Sequence, residues 1–180
     1  MSKKSVLKED RERFEESVLS HLNAAYNLAR WLTRNEHDAE DIVQESYLRA
    51  LASFESFQYG NNGRAWLLKI VRNTWHTWIR KNRPREIVSD PDSAEEAVAA
   101  VLDPEATLIK EANSEQVRQG IEELSSVYRE VLILRELEGL SYKEISSIID
   151  APLGTVMSRL SRAREELYAR LSNLKRETKA

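Results

Sequence analysis

The stretch from Ser141 to Leu167, SYKEISSIIDAPLGTVMSRLSRAREEL, decides how the rest of the chain is read. Ser141, with Glu144 three residues on, makes a capping box opening a short helix that carries Ile145, Ile148 and Ile149. DAPLG makes a turn. Thr155 is then the expected cap of a longer helix with a buried stripe of Val156, Leu160, Ala163, Leu167 and Leu171. That spacing sets Met157, Ser158, Arg159, Ser161, Arg162 and Arg164 on other faces. A short helix, a tight turn and a long arginine-bearing helix form the helix-turn-helix pattern. In that pattern the first helix braces the second, whose N-terminal side chains reach base edges while arginines hold phosphates. A plain helical hairpin with a solvated Arg/Glu face fits the same letters. The formal charge of −3 also sits awkwardly with a DNA-binding protein.

Composition narrows the alternatives. With 180 residues, 41% hydrophobic and 32% charged, and only 5 Gly and 4 Pro, the chain reads as a helix-rich protein of one medium or two small domains. It has no cysteine, so disulfides, thiolate metal sites and thiol nucleophiles are excluded. The N-terminal MSKKSVLKEDRERF lacks the apolar run of a signal peptide, and no segment reaches the ~20 apolar residues of a membrane span. A cytoplasmic protein without membrane insertion is expected. His37 and Asp41 share a helix-face spacing, but a carboxylate near a helix start explains Asp41 more simply than a metal does. Phosphate-cradling glycine loops and nucleophile elbows do not occur. The expectation is no metal, no cofactor and no enzymatic chemistry.

Upstream, Phe14, Val18, Leu22, Ala25, Ala29 and Leu32 recur at helical spacing. Asp38 is the expected N-cap of DAEDIVQESYLRAL, whose Ile42, Val43, Ser46 and Ala50 face the first helix. FESFQYGNNG reads as a loop. A third helix runs from Arg64 and ends before Pro84. From Gln58 to Arg85 there is no acidic residue, but there are Arg64, Lys69, Arg72, Arg80, Lys81, Arg83 and Arg85. Trp66, Trp75 and Trp78 lie there too. Trp66 is assigned to the core; Trp75 and Trp78 stay open between core packing and stacking on unpaired bases. The charge then inverts in EIVSDPDSAEEAVAAVLDPEATLI, which holds seven acids and no Lys or Arg and reads as a tether. Beyond it, one helix passes through Val117, Ile121 and Leu124. Another runs from Ser126 to Glu138 and stops at Gly139. The expected fold is all-α: two small helical domains, 10–84 and 113–175, joined by an acidic flexible linker, 85–112.

Three segments in order, DAEDIVQESYLRAL, FQYGNNGRAWLLKIVRNTWHTWIR and YREVLILRELEGLSYKEISSIIDAPLGTVMSRLSRAREEL, resemble the extracytoplasmic-function (ECF) sigma factors of bacteria. The resemblance runs from about Phe14 to Leu171 and is far more specific than a lone helix-turn-helix. It implies a dissociable initiation subunit of bacterial core RNA polymerase, contacting the beta and beta-prime subunits and promoter DNA and held by an anti-sigma factor. It implies that Asp41, Gln44 and Glu45 dock on the clamp helices of the largest subunit. The loop from Phe57 to Gly63, with Asn61 and Asn62, resembles the one that captures a flipped base of the minus-ten element, and Asn73 of KIVRN matches an asparagine that reads it. Arg72 and Arg80 belong to the same basic helix. Unstacking a base costs a few kcal/mol, which contacts to its exposed edge offset. Arg135, Met157, Ser158, Arg159, Ser161 and Arg162 fall on or beside positions that contact the minus-thirty-five element.

Two residues depart from the pattern. Met157 stands where many relatives have a basic residue and Ser161 where others have a larger one, and neither offers a bidentate fork to guanine. The rival readings are a regulator that binds DNA unaided through its C-terminal half, and a helical interaction module that sequesters an anti-sigma factor.

Overall fold

A computed structural model describes residues 12–54, 57, 62–82 and 114–177. The tether at 85–112 and Asn61 lie outside the described residues. The chain divides into two units, one mainly before residue 88 and one mainly after it.

In the first unit three helices pack on one another: α1 (Leu22–Thr33), α2 (Glu36–Ser53) and α3 (Gly63–Asn82). The apolar stripe predicted from Phe14 to Leu32 does not run through one helix. Residues 12–17 are helical, the chain turns at Val18, and a 3-10 turn at Leu19–His21 precedes α1. Phe14 and Val18 are buried, but Leu22 is exposed, and Leu28 joins Ala25, Ala29 and Leu32 inside. The break is fastened by Tyr47 of α2, whose hydroxyl donates to the Val18 carbonyl at 3.2 Å. It also lets Ser17 approach α3. A Cβ at Gly63 would stand 2.2 Å from the Ser17 carbonyl oxygen, so only glycine fits at the start of that helix.

α2 is capped by Asn35, not by the expected Asp38. Asn35 accepts the Asp38 N–H at 3.0 Å, and Thr33 Oγ1 accepts the Asn35 N–H at 3.3 Å. Both residues are good caps. The link to Thr33 selects the earlier one and leaves Glu36 and Asp38 in the first turn, where the helix dipole favours acids. The inward stripe Ile42, Val43, Ser46 and Ala50 is as read, with Ser46 back-bonding to the Ile42 carbonyl at 2.6 Å. In α3 the buried tryptophan is Trp75, 3% exposed, beside Leu67, Leu68, Val71 and Ile79. Trp66, expected in the core, is half-buried at the edge of an aromatic cluster with Phe54 and Phe57.

The second unit holds α4 (Ser114–Glu123), α5 (Ser126–Leu132), α6 (Tyr142–Ile149) and α7 (Leu153–Glu177), with α7 packed on α4 and α5. α5 passes into a π-helical turn, Ile133–Leu137. Its closing bonds, Glu138 N–H to Ile133 O and Leu140 N–H to Leu134 O, are both 3.0 Å and reach further back than the i→i−4 bonds of an α-helix. Gly139, at φ +64, reverses the chain there. The Ser141–Glu144 capping box is present in both directions. α7 begins at Leu153, two residues before the expected cap Thr155, because Pro152 O already accepts the Val156 N–H at 3.1 Å. Its stripe Val156, Leu160, Ala163, Leu167 and Leu171 is buried as predicted.

A buried cation holds the entry to this unit together. Arg129 of α5 is buried, and its guanidinium donates to Ile121 O at 3.2 Å and Leu124 O at 2.7 Å. These carbonyls lie at the C-terminal end of α4, where backbone acceptors lack helical partners. Arg164 of α7 reaches Glu136 in the π-turn at 2.6 Å, and Arg170 reaches Glu123 at 2.7 Å.

Candidate functional site

The outer face of α2 is built by exclusion. Its buried stripe takes Ala39, Ile42, Val43, Ser46 and Ala50, so Asp41, Gln44 and Glu45 point outward and are exposed. Glu45 is held by an i,i+4 ion pair with Arg49 at 2.7 Å. Leu48 and Leu51, which sequence reasoning missed, share this face and are 64% and 60% exposed. Steps of three and four residues from Asp41 through Gln44 and Leu48 to Leu51 make one continuous row. The signal was available: two leucines off the buried stripe have no reason of packing to be apolar.

The minus-ten candidates do not form one group. Phe57 is buried and stacks on Phe54 at 5.6 Å between ring centroids. Asn62 uses its side chain as the cap of α3, accepting the Ala65 N–H at 3.2 Å. Asn73 lies exposed on α3, one position from a row formed by Arg72, His76 and Arg80. His76 packs edge-on against Trp75 at 4.6 Å between ring centroids. Burial, then the charges of Arg72 and Arg80, lower its pKa to about 4, so the imidazole between the two guanidiniums is neutral at pH 7.

This makes the first unit acid-sensitive. The unfolded His76 takes up a proton near pH 6.5 and the folded one only near pH 4. Across that window the unfolded state binds more protons, so stability falls as pH falls. Urea midpoints read by tryptophan fluorescence should drop between pH 6.5 and 4 more steeply for the wild type than for His76→Gln. Parallel pH profiles would refute the assignment. Burial and the nearby Arg64 lower the pKa of His21 as well, which adds to the slope in the same direction.

On α7, Met157 is exposed, Ser158 and Ser161 are half-buried, and Arg162 is half-buried. Ser158 Oγ donates to Thr155 O at 3.1 Å and Ser161 Oγ to Glu165 at 3.1 Å. Arg159 is not on an outer face, as its spacing suggested, but 8% exposed. It follows the buried stripe because 156, 159, 160 and 163 are themselves helical neighbours. Arg135 braces the helix-turn-helix from below. It donates to Leu140 O at 2.8 Å and lies 4.9 Å over the Tyr142 ring. No group of three or more His, Asp or Glu among the described residues could hold a metal, and no helix among them is long and apolar enough to cross a membrane.

Known proteins match both units. Residues 18–85 match the family model for sigma-70 region 2, and residues 114–167 that for sigma-70 region 4. The ECF RNA polymerase sigma factor SigW of Bacillus subtilis is 32% identical over 178 residues, covering 95% of each chain. EcfG of Rhodopseudomonas palustris is 34% identical over 160 residues, covering 89% of this chain and 86% of its own. Among solved structures, the sigma factor RpoE of Bartonella quintana, crystallised with the anti-sigma factor NepR, has a TM-score of 0.69 at 29% identity, covering 89% of this chain and 98% of its own. The chain therefore belongs to the ECF RNA polymerase sigma factors of the sigma-70 family, initiation factors of transcription and not enzymes.

Proposed function

We propose that this chain joins bacterial core RNA polymerase in the cytoplasm and places it on promoters at two points. In this reading the outer face of α2 docks on the beta-prime clamp helices, with Asp41, Gln44 and Glu45 as contacts. The α3 face around Arg72, Asn73 and Arg80, with Asn61 preceding it in the chain, opens and reads the minus-ten element. The N-terminal half of α7 reads the minus-thirty-five element through Met157, Ser158, Ser161 and Arg162. Domains at 10–84 and 113–175 flank the linker at 85–112.

The observation that carries this reading is the segregation of charge. Residues 58–85 and 151–164 contain no Asp or Glu in a chain of net charge −3. Five acids lie on α2 and eight in the tether, 85–112, and none of the 30 falls within the two stretches proposed to meet phosphates. Each DNA contact is weak alone. Held on one polymerase, the second contact becomes intramolecular and the pair binds far better than either. NepR bound to RpoE supports the further proposal that an anti-sigma factor holds this chain until it is needed.

Run-off transcription with purified core polymerase and a genomic promoter library tests the function. Promoter-specific transcripts that require this chain are expected. DNA binding without core would favour an unaided regulator, and no transcript from any library would overturn the reading. Asn73→Ala should lower open-complex formation about 10-fold, the equivalent of one lost buried hydrogen bond of ~1.4 kcal/mol, and leave core binding unchanged. Equal loss of core binding would make Asn73 a structural residue.

A further inference from the structure

α7 opens with an apolar pair that packing does not explain. Leu153 and Met157 are 43% and 37% exposed and stand four residues apart on one face. Single exposed apolar side chains are ordinary. This pair, however, heads the helix that the helix-turn-helix presents, and its surroundings limit what can cover it. Residues 151–164 carry no acid, and the half-buried Arg162 and Arg164 follow on the same helix. An anionic partner with apolar points on its surface suits such a face.

The row continues through Ser161 to Glu165, whose carboxylate engages the Ser161 hydroxyl at 3.1 Å. From Leu153 to Ser161 the row therefore has no cation to offer. Met157 has no donor for the O6 and N7 of guanine, while its unbranched thioether adapts its shape to a small apolar group. The one apolar group that the major groove displays is the C5-methyl of thymine.

We propose that Met157, supported by Leu153, is a specificity-determining residue that reads thymine methyl groups in the minus-thirty-five element. The inference rests on the sigma-factor reading of α7 and adds the chemistry of what it reads. Met157 selects T over C at one or two positions by apolar contact, where a basic residue would select guanine.

The test replaces single methyl groups. Holoenzyme assembled from bacterial core polymerase and the full chain is used to select promoters from a library randomised across the minus-thirty-five region. Each thymine of the best promoter, on either strand, is then replaced by deoxyuridine. At one or two positions the loss of the methyl should weaken wild-type holoenzyme binding about 3-fold, near the value of one buried methyl. Met157→Ala should bind thymine and deoxyuridine promoters equally at those positions. Met157→Lys should shift selection toward guanine there. Silent methyls in the wild type, or a full methyl effect in Met157→Ala, would overturn the proposal alone and leave an acidic protein segment as the partner of this face. If no promoter is enriched, the sigma reading itself fails and the proposal with it.

Discussion

Arg129→Met should destabilise the second unit by about 3 kcal/mol, because hydrogen bonds from a charged donor contribute ~1.5–3 kcal/mol each and two are lost. The side chain is buried and donates to the carbonyls of Ile121 and Leu124. Methionine keeps much of the volume and none of the donors. Arg129→Lys should fall between, because one ammonium does not span two carbonyls three residues apart as a planar fork does. A domain of this size has only ~5 kcal/mol in total, so a loss of 3 leaves it close to unfolding at ambient temperature. The four tryptophans, Trp31, Trp66, Trp75 and Trp78, all precede residue 82, so their fluorescence reports the first unit. The change should therefore appear in urea unfolding followed by far-UV circular dichroism and not in the tryptophan transition. A stability within 0.5 kcal/mol of wild type would show that α4 holds its place without this guanidinium.

Arg129 also shows what the sequence hides. Within VYREVLIL the apolar residues run on all sides, and Val131 to Leu134 are consecutively buried. Periodicity carries no information in such a run. It revealed neither the π-turn, which inserts one residue into the helical repeat, nor the buried arginine reaching back five and eight residues. Where a helix has one buried face, as α2 and α7 do, the apolar stripe was legible, though not the buried Arg159 beside it. Caps were less so. Asn35 and Asp38, or Pro152 and Thr155, are each acceptable helix starts, and a tertiary or turn contact decided between them.

The site was legible as placement and not as chemistry. Asp41, Gln44, Glu45, Asn73 and Met157 are exposed, as the proposed contacts require. Phe57, Asn62 and Arg159 occupy places where packing or capping already accounts for them. A motif carries all these positions together, since residues that support a recognition element recur with those that touch its ligand. Only burial and hydrogen bonds separate the two groups.

Leu48→Ser with Leu51→Ser should weaken core polymerase binding about 100-fold while leaving the fold intact. The two side chains are 64% and 60% exposed, so their loss removes little from the core of the first unit. On docking, each leucine that becomes covered contributes ~1.5–3 kcal/mol, and two give roughly 3 kcal/mol or more. The acids of the same face act differently. Asp41 is exposed and belongs to the rim, so Asp41→Lys should slow association and reduce its salt dependence, with a small effect on dissociation. The leucine pair should act mainly on dissociation, because apolar burial forms only after the surfaces meet. Biolayer interferometry with immobilised core polymerase, at two salt concentrations, separates the two effects. If the double serine variant binds core as the wild type does, polymerase docks on another face. If it instead unfolds at lower urea, the leucines stabilise the fold in a way their exposure does not suggest. An acidic rim that speeds encounter around an apolar row that slows release accounts for both kinds of residue on one helix face. In the proposed docking this face is turned toward protein, which explains why α2 carries acids in a chain proposed to work on DNA.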